Sequence, residues 1–356
     1  MKKGGEMKNL KVALVGCGYV TIGHFRAWRR IPQARIVAVS DLNQDLAKAT
    51  AKEWGVPHHY KSLTQIVAVE DVDVVDICTP PQVHAILAVE AMSAGINVLI
   101  EKPMTMTVND AQKIVESQKS AGVSAGVIHN WLYDAPVLAA REILGKGKLG
   151  EVLNAEIEAL NTKEDSMAAN AKHWSHQLPG GRFSEMLAHP IYLLRDFFRS
   201  DVKCVDIELS KIGDYPWMKS DELCATFRAG KKLGRAYASF NSSRDAIYIN
   251  LYCARGILKL DVINSTLNLL PARKTNRLSK GSDSVRQASQ LIKWTALNTG
   301  KIATRSWYSG HDMCIKLFAA NLMAKKPPPV TAEEGLAVVR TLEEMCKRIE
   351  AIQNNA

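Results

Sequence analysis

The chain has 356 residues, 47% apolar and 23% charged, with a formal net charge of +10. That length exceeds the size at which a single core stops growing, so two domains are expected, and the ordinary apolar and charged fractions argue against a disordered chain. No run approaching about 18 apolar residues occurs, so no transmembrane helix is expected. The basic start MKKGGEMKNL has no apolar segment behind it; it reads as a frayed tail over 1–8 rather than a signal peptide.

Seven cysteines are scattered in apolar contexts at no metal-ligand spacing. They read as reduced core residues, which points to a cytoplasmic protein with no metal site. The positive charge is local. Between Arg273 and Arg305 eight basic residues face one acid, Asp283, a net +7. A footprint for nucleic acid spread over a whole face is therefore not expected.

In chain order, LKVALVG (Leu10–Gly16), Ala34–Asp41, Asp73–Thr79, Ile96–Glu101 and Val123–Ile128 are short apolar runs. Helical patterns lie between them at Asn43–Trp54, Val83–Ala94 and Val108–Ser120. Apolar strands without alternation, each followed by a helix, predict a doubly wound parallel sheet. His58-His59 reads as a surface turn.

After about Asn130 the pattern changes. A helix over Asp134–Leu144 precedes runs with period-two character: Glu151–Leu160, Val202–Lys211, Leu223–Arg228, Gly234–Asn241, Ala246–Ala254 and Gly256–Val262. These predict a large open, mostly antiparallel sheet. A basic, Ser-rich stretch over 263–306 interrupts it, with a helix around Val285–Leu297, and two helices close the chain at Gly310–Ala324 and Glu333–Ile352. The expected division is residues 1–129 for nucleotide binding and 130–356 for substrate and self-association, the last helix packing back on the first domain.

LKVALVGCGYVTIGHF carries Gly16-x-Gly18 between a strand and a helix. Gly16 permits the tight turn and Gly18 close approach of a pyrophosphate, with Tyr19 and Val20 completing the turn. Thr21 stands where a third glycine would fall. Asp41, 25 residues past Gly16 at the end of the second strand, is placed to accept ribose hydroxyls and repel a 2′-phosphate. NAD is expected rather than NADP.

DVVDICTPPQVH ends a strand at Thr79-Pro80 and places His84 in the next helix; NVLIEKP ends another at Glu101-Lys102. In an open parallel sheet these strand ends share a crevice. The motifs at Gly16–His24, Thr79–His84, Glu101–Pro103 and Gly180–His189 together resemble the Gfo/Idh/MocA oxidoreductases, from Lys11 to about Ile352. The resemblance implies a Rossmann domain, a C-terminal α/β domain with a large open sheet, and pyranoses, cyclitols or sugar nucleotides as substrates. It implies that Thr79, Pro80, His84 and Glu101 line the cofactor. Lys102 would touch the cofactor and stabilise the reacting oxygen.

PGGRFSEMLAHPIYLLRDFF puts Glu185 and His189 at i and i+4 on one helix face. A carboxylate there would orient His189, which would take the hydroxyl proton. The family pattern GGGxLxDxGxHxxD is altered: Glu185 replaces an Asp, Leu187 a Gly and Tyr192 the final Asp. Asn130, Tyr133, Trp174, Arg182 and His189 are the candidate substrate contacts, since a sugar needs donors, acceptors and an aromatic face. His173-x-x-His176 lacks an accompanying ligand.

The expectation is an NAD-dependent dehydrogenase acting on a carbohydrate-like hydroxyl, as a homodimer or homotetramer. A non-catalytic NAD-binding regulator of the same fold and an enzyme of another carbonyl or imine are the alternatives.

Overall fold

The computed structural model describes residues 9–273 and 277–355, which form two compact units: 9–130 with His311–Arg340, and 131–273 and 277–310 with 341–355. The expected tail over 1–8 and residues 274–276 of the basic stretch lie outside the described residues. No helix among the described residues is long and apolar enough to cross a membrane.

In the first unit β1 (Leu10–Val15), β2 (Ala34–Ser40), β3 (His58–Tyr60), β4 (Val74–Ile77), β5 (Asn97–Ile100) and β6 (Ala125–Val127) form one sheet in the order β3-β2-β1-β4-β5-β6. Every pairing is parallel. The connecting helices are α1 (Thr21–Arg29), α2 (Gln44–Trp54), α3 (Leu63–Val69), α4 (His84–Ser93) and α5 (Val108–Ala121). β1 and β4 are buried almost throughout, which is why they read as unbroken apolar runs. Local signals fix the helix ends. The Asn43 side chain accepts from the N–H groups of Asp45 and Leu46 at the start of α2, and Gly55 ends it with φ +62°. Such a cap contributes about 1 kcal/mol.

The strand order reverses between β1 and β4, which opens a crevice at the carboxyl ends of these strands. Register sets what lines it. Val15 pairs with Ser40 on one side and Ile77 on the other, and Ile77 pairs with Ile100. Gly16, Asp41, Cys78 and Glu101 therefore leave the sheet in one row. The predicted turn at His58-His59 is corrected: both lie, exposed, in the short edge strand β3.

The second unit contains α6 (Ala135–Gly145), β7 (Val152–Thr162), the single turn α7 (Ser166–Ala169), α8 (Arg182–Phe198), β8 (Lys203–Ser210), β9 (Glu222–Ala229), β10 (Lys232–Ser242), β11 (Ala246–Cys253), β12 (Gly256–Asp261), β13 (Thr266–Pro271) and α9 (Arg277–Ala303). The chain ends in α10 (Gly310–Met323) and α11 (Ala332–Asn355). Its seven strands run β13-β12-β11-β7-β10-β9-β8, all antiparallel except β7 with β10. Two expectations are revised here. β13 falls inside the stretch taken as an interruption, because its apolar residues sit between polar turns. The helix there is α9, 27 residues long, with Val285 and Ile292 exposed.

α8 is buried on nearly every side, with Glu185, Arg195 and Asp196 the residues left only partly covered. It presses on the sheet where β10 carries Gly234. A Cβ at that position would stand 2.7 Å from a Leu194 methyl. Phe183 packs on Phe240 with ring centroids 5.2 Å apart. These contacts fix the depth of the helix that carries His189.

Candidate active site

The turn after β1 is built for close approach. Gly16 has φ +95°, and a Cβ there would meet the Cys78 carbonyl oxygen at 2.7 Å. Only glycine fits without moving β4. At Gly18 an added Cβ would meet nothing within 4 Å, so that side of the turn is open. Thr21, in the place of a third glycine, donates its hydroxyl to the Gly16 carbonyl at 2.9 Å and braces the turn.

Asp41 is tied to the same turn. Its Oδ2 accepts the Cys17 N–H at 2.9 Å and its Oδ1 the Asn43 N–H at 2.9 Å. Val20, the residue before α1, caps the helix without a side-chain hydrogen bond. Among the described residues no backbone carbonyl accepts the N–H groups of Gly18, Tyr19 or Val20, which leaves them as donors for an anion. Open space, free donors and a pinned carboxylate fit a dinucleotide.

Thr79 and Pro80 follow β4, and His84 is fully buried behind them. Its Nε2 lies 2.7 Å from the Thr79 carbonyl oxygen; its Nδ1 lies 3.1 and 3.2 Å from those of Pro103 and Met104. Burial lowers its pKa, against the pull of these carbonyls. His84, expected to line the cofactor, thus clamps the loop after β4 to the loop after β5 from inside.

Glu101 is buried beneath Lys102. Its Oε2 accepts the Lys102 N–H at 2.9 Å, and its Oε1 lies 2.8 Å from His24 Nε2. His24 Nδ1 lies 2.8 Å from Asp76 Oδ2, which also accepts the Trp28 indole N–H at 2.7 Å. His311 Nε2 comes within 3.3 Å of Glu101 Oε1 without completing a hydrogen bond, and its ring tilts against His24 at 5.7 Å. The sequence reading gave His24 a place in a motif but no partner, and passed over Trp28 and Asp76. A lone acid inside the apolar run DVVDICT was the available signal.

Burial opposes charge on His24, but Asp76 prevails and holds its pKa well above the ordinary 6.5. Burial would raise Glu101, yet the His24 hydrogen bond and the neighbouring His311 hold it well below 4.5. The sign follows by linkage. The His24 contribution to stability is complete below pH 6.5 and is lost as pH rises toward its folded pKa. The Glu101 contribution is complete above pH 4.5 and is lost on acidification. Urea unfolding from pH 7 to 9 should show stability falling by up to about 1.4 kcal/mol per pH unit from His24, a slope missing in His24→Gln.

In the second unit His189 is buried in α8, 5% exposed. Its Nδ1 lies 2.6 Å from the Tyr192 hydroxyl, whose oxygen accepts the Trp131 N–H at 3.0 Å. The Trp131 ring stacks on the imidazole at 3.8 Å, 14° from parallel. Glu185 forms an ion pair with Arg182, whose guanidinium also reaches Asp165 at 3.5 Å and lies over Phe240. The Tyr192 hydroxyl thus stands at His189 Nδ1, and the Glu185 carboxylate is ion-paired with Arg182. Tyr192 had been read only as a lost carboxylate, although its i+3 spacing from His189 placed it on the same face. Asn130 and Tyr133 are both buried, in a short 3-10 helix; Trp174 opens another and its ring lies 5.1 Å from that of His173.

A parallel sheet with a glycine turn and acid at its switch point, followed by a separate open sheet, defines a two-domain nucleotide-binding oxidoreductase class. Residues 10–129 match the oxidoreductase family model with an NAD-binding Rossmann fold, and residues 137–259 match the GFO/IDH/MocA C-terminal domain. The chain belongs to the Gfo/Idh/MocA oxidoreductase family.

The D-apiose dehydrogenase of Paraburkholderia graminis is 32% identical over 144 residues, 40% of this chain and 38% of that protein. The chain thus spans about two fifths of the length of that relative. The myo-inositol 2-dehydrogenase of Thermotoga maritima is 22% identical over 339 residues, 92% of each chain. The crystal structure of the WlbA dehydrogenase from Bordetella pertussis, in complex with NADH and UDP-GlcNAcA, superposes with TM-score 0.76 at 19% identity. That likeness covers 95% of this chain and 96% of that one, and it shows the fold.

Proposed function

We propose that this protein is an NAD-dependent dehydrogenase that moves hydride between the nicotinamide and the hydroxyl-bearing carbon of a sugar, cyclitol or sugar nucleotide, the alcohol becoming a carbonyl as its hydroxyl proton leaves. The observation that carries this reading is the row of Gly16, Asp41, Thr79 and Glu101-Lys102 at the strand ends beside the switch point. The named substrates of the relatives, D-apiose and myo-inositol, support the substrate class.

Bound NAD supplies the hydride acceptor. Gly16 and Gly18 admit its pyrophosphate, and Asp41 receives the ribose hydroxyls. Lys102 brings a cation to the reacting oxygen and stabilises it as an alkoxide. His189 takes the hydroxyl proton while the Tyr192 hydroxyl and the Trp131 ring hold the imidazole. Glu185 acts through Arg182, and Arg182, Asn130, Tyr133 and Trp174 shape the substrate side. Residues 1–129 serve the cofactor and 130–356 the substrate. The open second sheet favours a homodimer or homotetramer, and the free cysteines favour the cytoplasm.

Asp41→Ala is expected to narrow the preference for NADH over NADPH by about tenfold or more in fluorescence titrations, because it removes a ribose acceptor and a repulsive charge. The proposal as a whole is tested by following NADH fluorescence with D-apiose, myo-inositol, levoglucosan and UDP-N-acetylglucosamine. Turnover of one supports it. A second reading, a non-catalytic NAD-binding regulator, is favoured by the phenol at His189 Nδ1, which strengthens the imidazole as a base less than a carboxylate would. Tight NADH binding with no turnover across such a panel would select it.

A further inference from the structure

The chain Asp76–His24–Glu101 lies within the first unit, and the chemistry above gives His24 no role. Its geometry is demanding. A neutral imidazole has one N–H, so one of two carboxylates at 2.8 Å would face a lone pair; the doubly protonated ring serves both. The surrounding groups hold the arrangement: Trp28 Nε1 on Asp76, the Cys78 thiol 3.7 Å from Asp76 Oδ1, and His311 3.3 Å from Glu101. A sealed cation between two carboxylates gains little stability over apolar packing. Its distinctive property is rigidity, and its last link is the hydrogen bond from the Lys102 backbone N–H to Glu101.

We propose that His24, doubly protonated between Asp76 and Glu101, is a positioning residue. It fixes the Glu101 carboxylate and, through it, the backbone from which the Lys102 side chain departs. The inference rests on the reading of Lys102 as the group at the reacting oxygen.

Three measurements test it. In protein labelled with 15N-histidine, one ring should keep both N–H protons from about pH 5.5 to 8.5, where a free imidazole titrates. A neutral His24 overturns the proposal. With the sugar or polyol that turns over, His24→Gln should lower kcat about 30-fold or more while KM and NADH affinity stay within about threefold. In a Lys102→Met background His24→Gln should cost nothing further, because its effect passes through Lys102. Additive losses, or a loss of NADH affinity as large as the loss of kcat, overturn it.

Should His24→Gln fail to fold, His24→Gln/Asp76→Asn, which removes one charge of each sign, takes its place with the same expectations. If the unmodified protein turns over nothing, the dehydrogenase reading fails alone. The 13C signal of reductively dimethylated Lys102 then decides: it should shift between wild type and variant, and an unmoved signal overturns the proposal. Stoichiometric zinc held by His24, Glu101 and His311, whose ligand atoms lie within 4.8 Å of one another, would also overturn it.

Discussion

Lys102→Met is expected to lower kcat by about 100- to 10,000-fold while NADH affinity changes by no more than about threefold. Methionine keeps the length and apolar stem of lysine and removes its charge. The Glu101 carboxylate still receives the backbone N–H at position 102, because that bond does not involve the side chain. The glycine turn and Asp41 are untouched, so the cofactor keeps its donors and acceptor. What goes is the cation beside an oxygen that gains charge only as the reaction proceeds. Stopped-flow measurement of NADH formation under single-turnover conditions checks it. A variant that binds NADH weakly but reacts at an undiminished rate would move Lys102 from the chemistry to the cofactor.

His189→Asn should lower kcat by about 100- to 1,000-fold and flatten the acid limb of the kcat profile. Asparagine retains a polar side chain next to Trp131 and Tyr192 but has no titratable nitrogen. Loss of the imidazole also removes a ring stacked at 3.8 Å, so some stability goes with it. The pH profile separates the two effects: a packing defect lowers the whole curve, and loss of a base changes its shape. An unchanged acid limb in the variant would show that another group takes the proton.

The first domain was legible because its signals are local and chemical. Apolar strands, the Gly16-x-Gly18 turn and the acid 25 residues on each have one physical reading, and all fall in the expected order. β3 and α3 were missed because three and seven residues give no period to detect. In the second unit the alternating strands declared an open sheet. β13 did not declare itself, because its neighbours are polar, and α9 ran past both expected ends.

The site was legible as a set of residues and much less so as a set of contacts. Glu185 at i and Tyr192 at i+7 lie on the same face as His189, and spacing alone does not say which reaches Nδ1. Arg182 settles where the Glu185 carboxylate goes, and that ion pair depends on Asp165 and Phe240 from elsewhere in the chain. The buried His24 set was hidden for a similar reason. Its members come from α1, β4, the end of β5 and the start of α10, far apart in the sequence, and only the folded unit brings them together.

Gly234 lies in β10, far along the chain from every residue given a chemical role, yet its missing side chain lets Leu194 sink against the sheet. The close seating of Leu194 on β10, one of the contacts beneath the helix that carries His189, depends on that position having only a hydrogen atom. A side chain at position 234 would press first on the Leu194 methyls, so it would be felt in the packing under α8 without altering any group assigned to substrate.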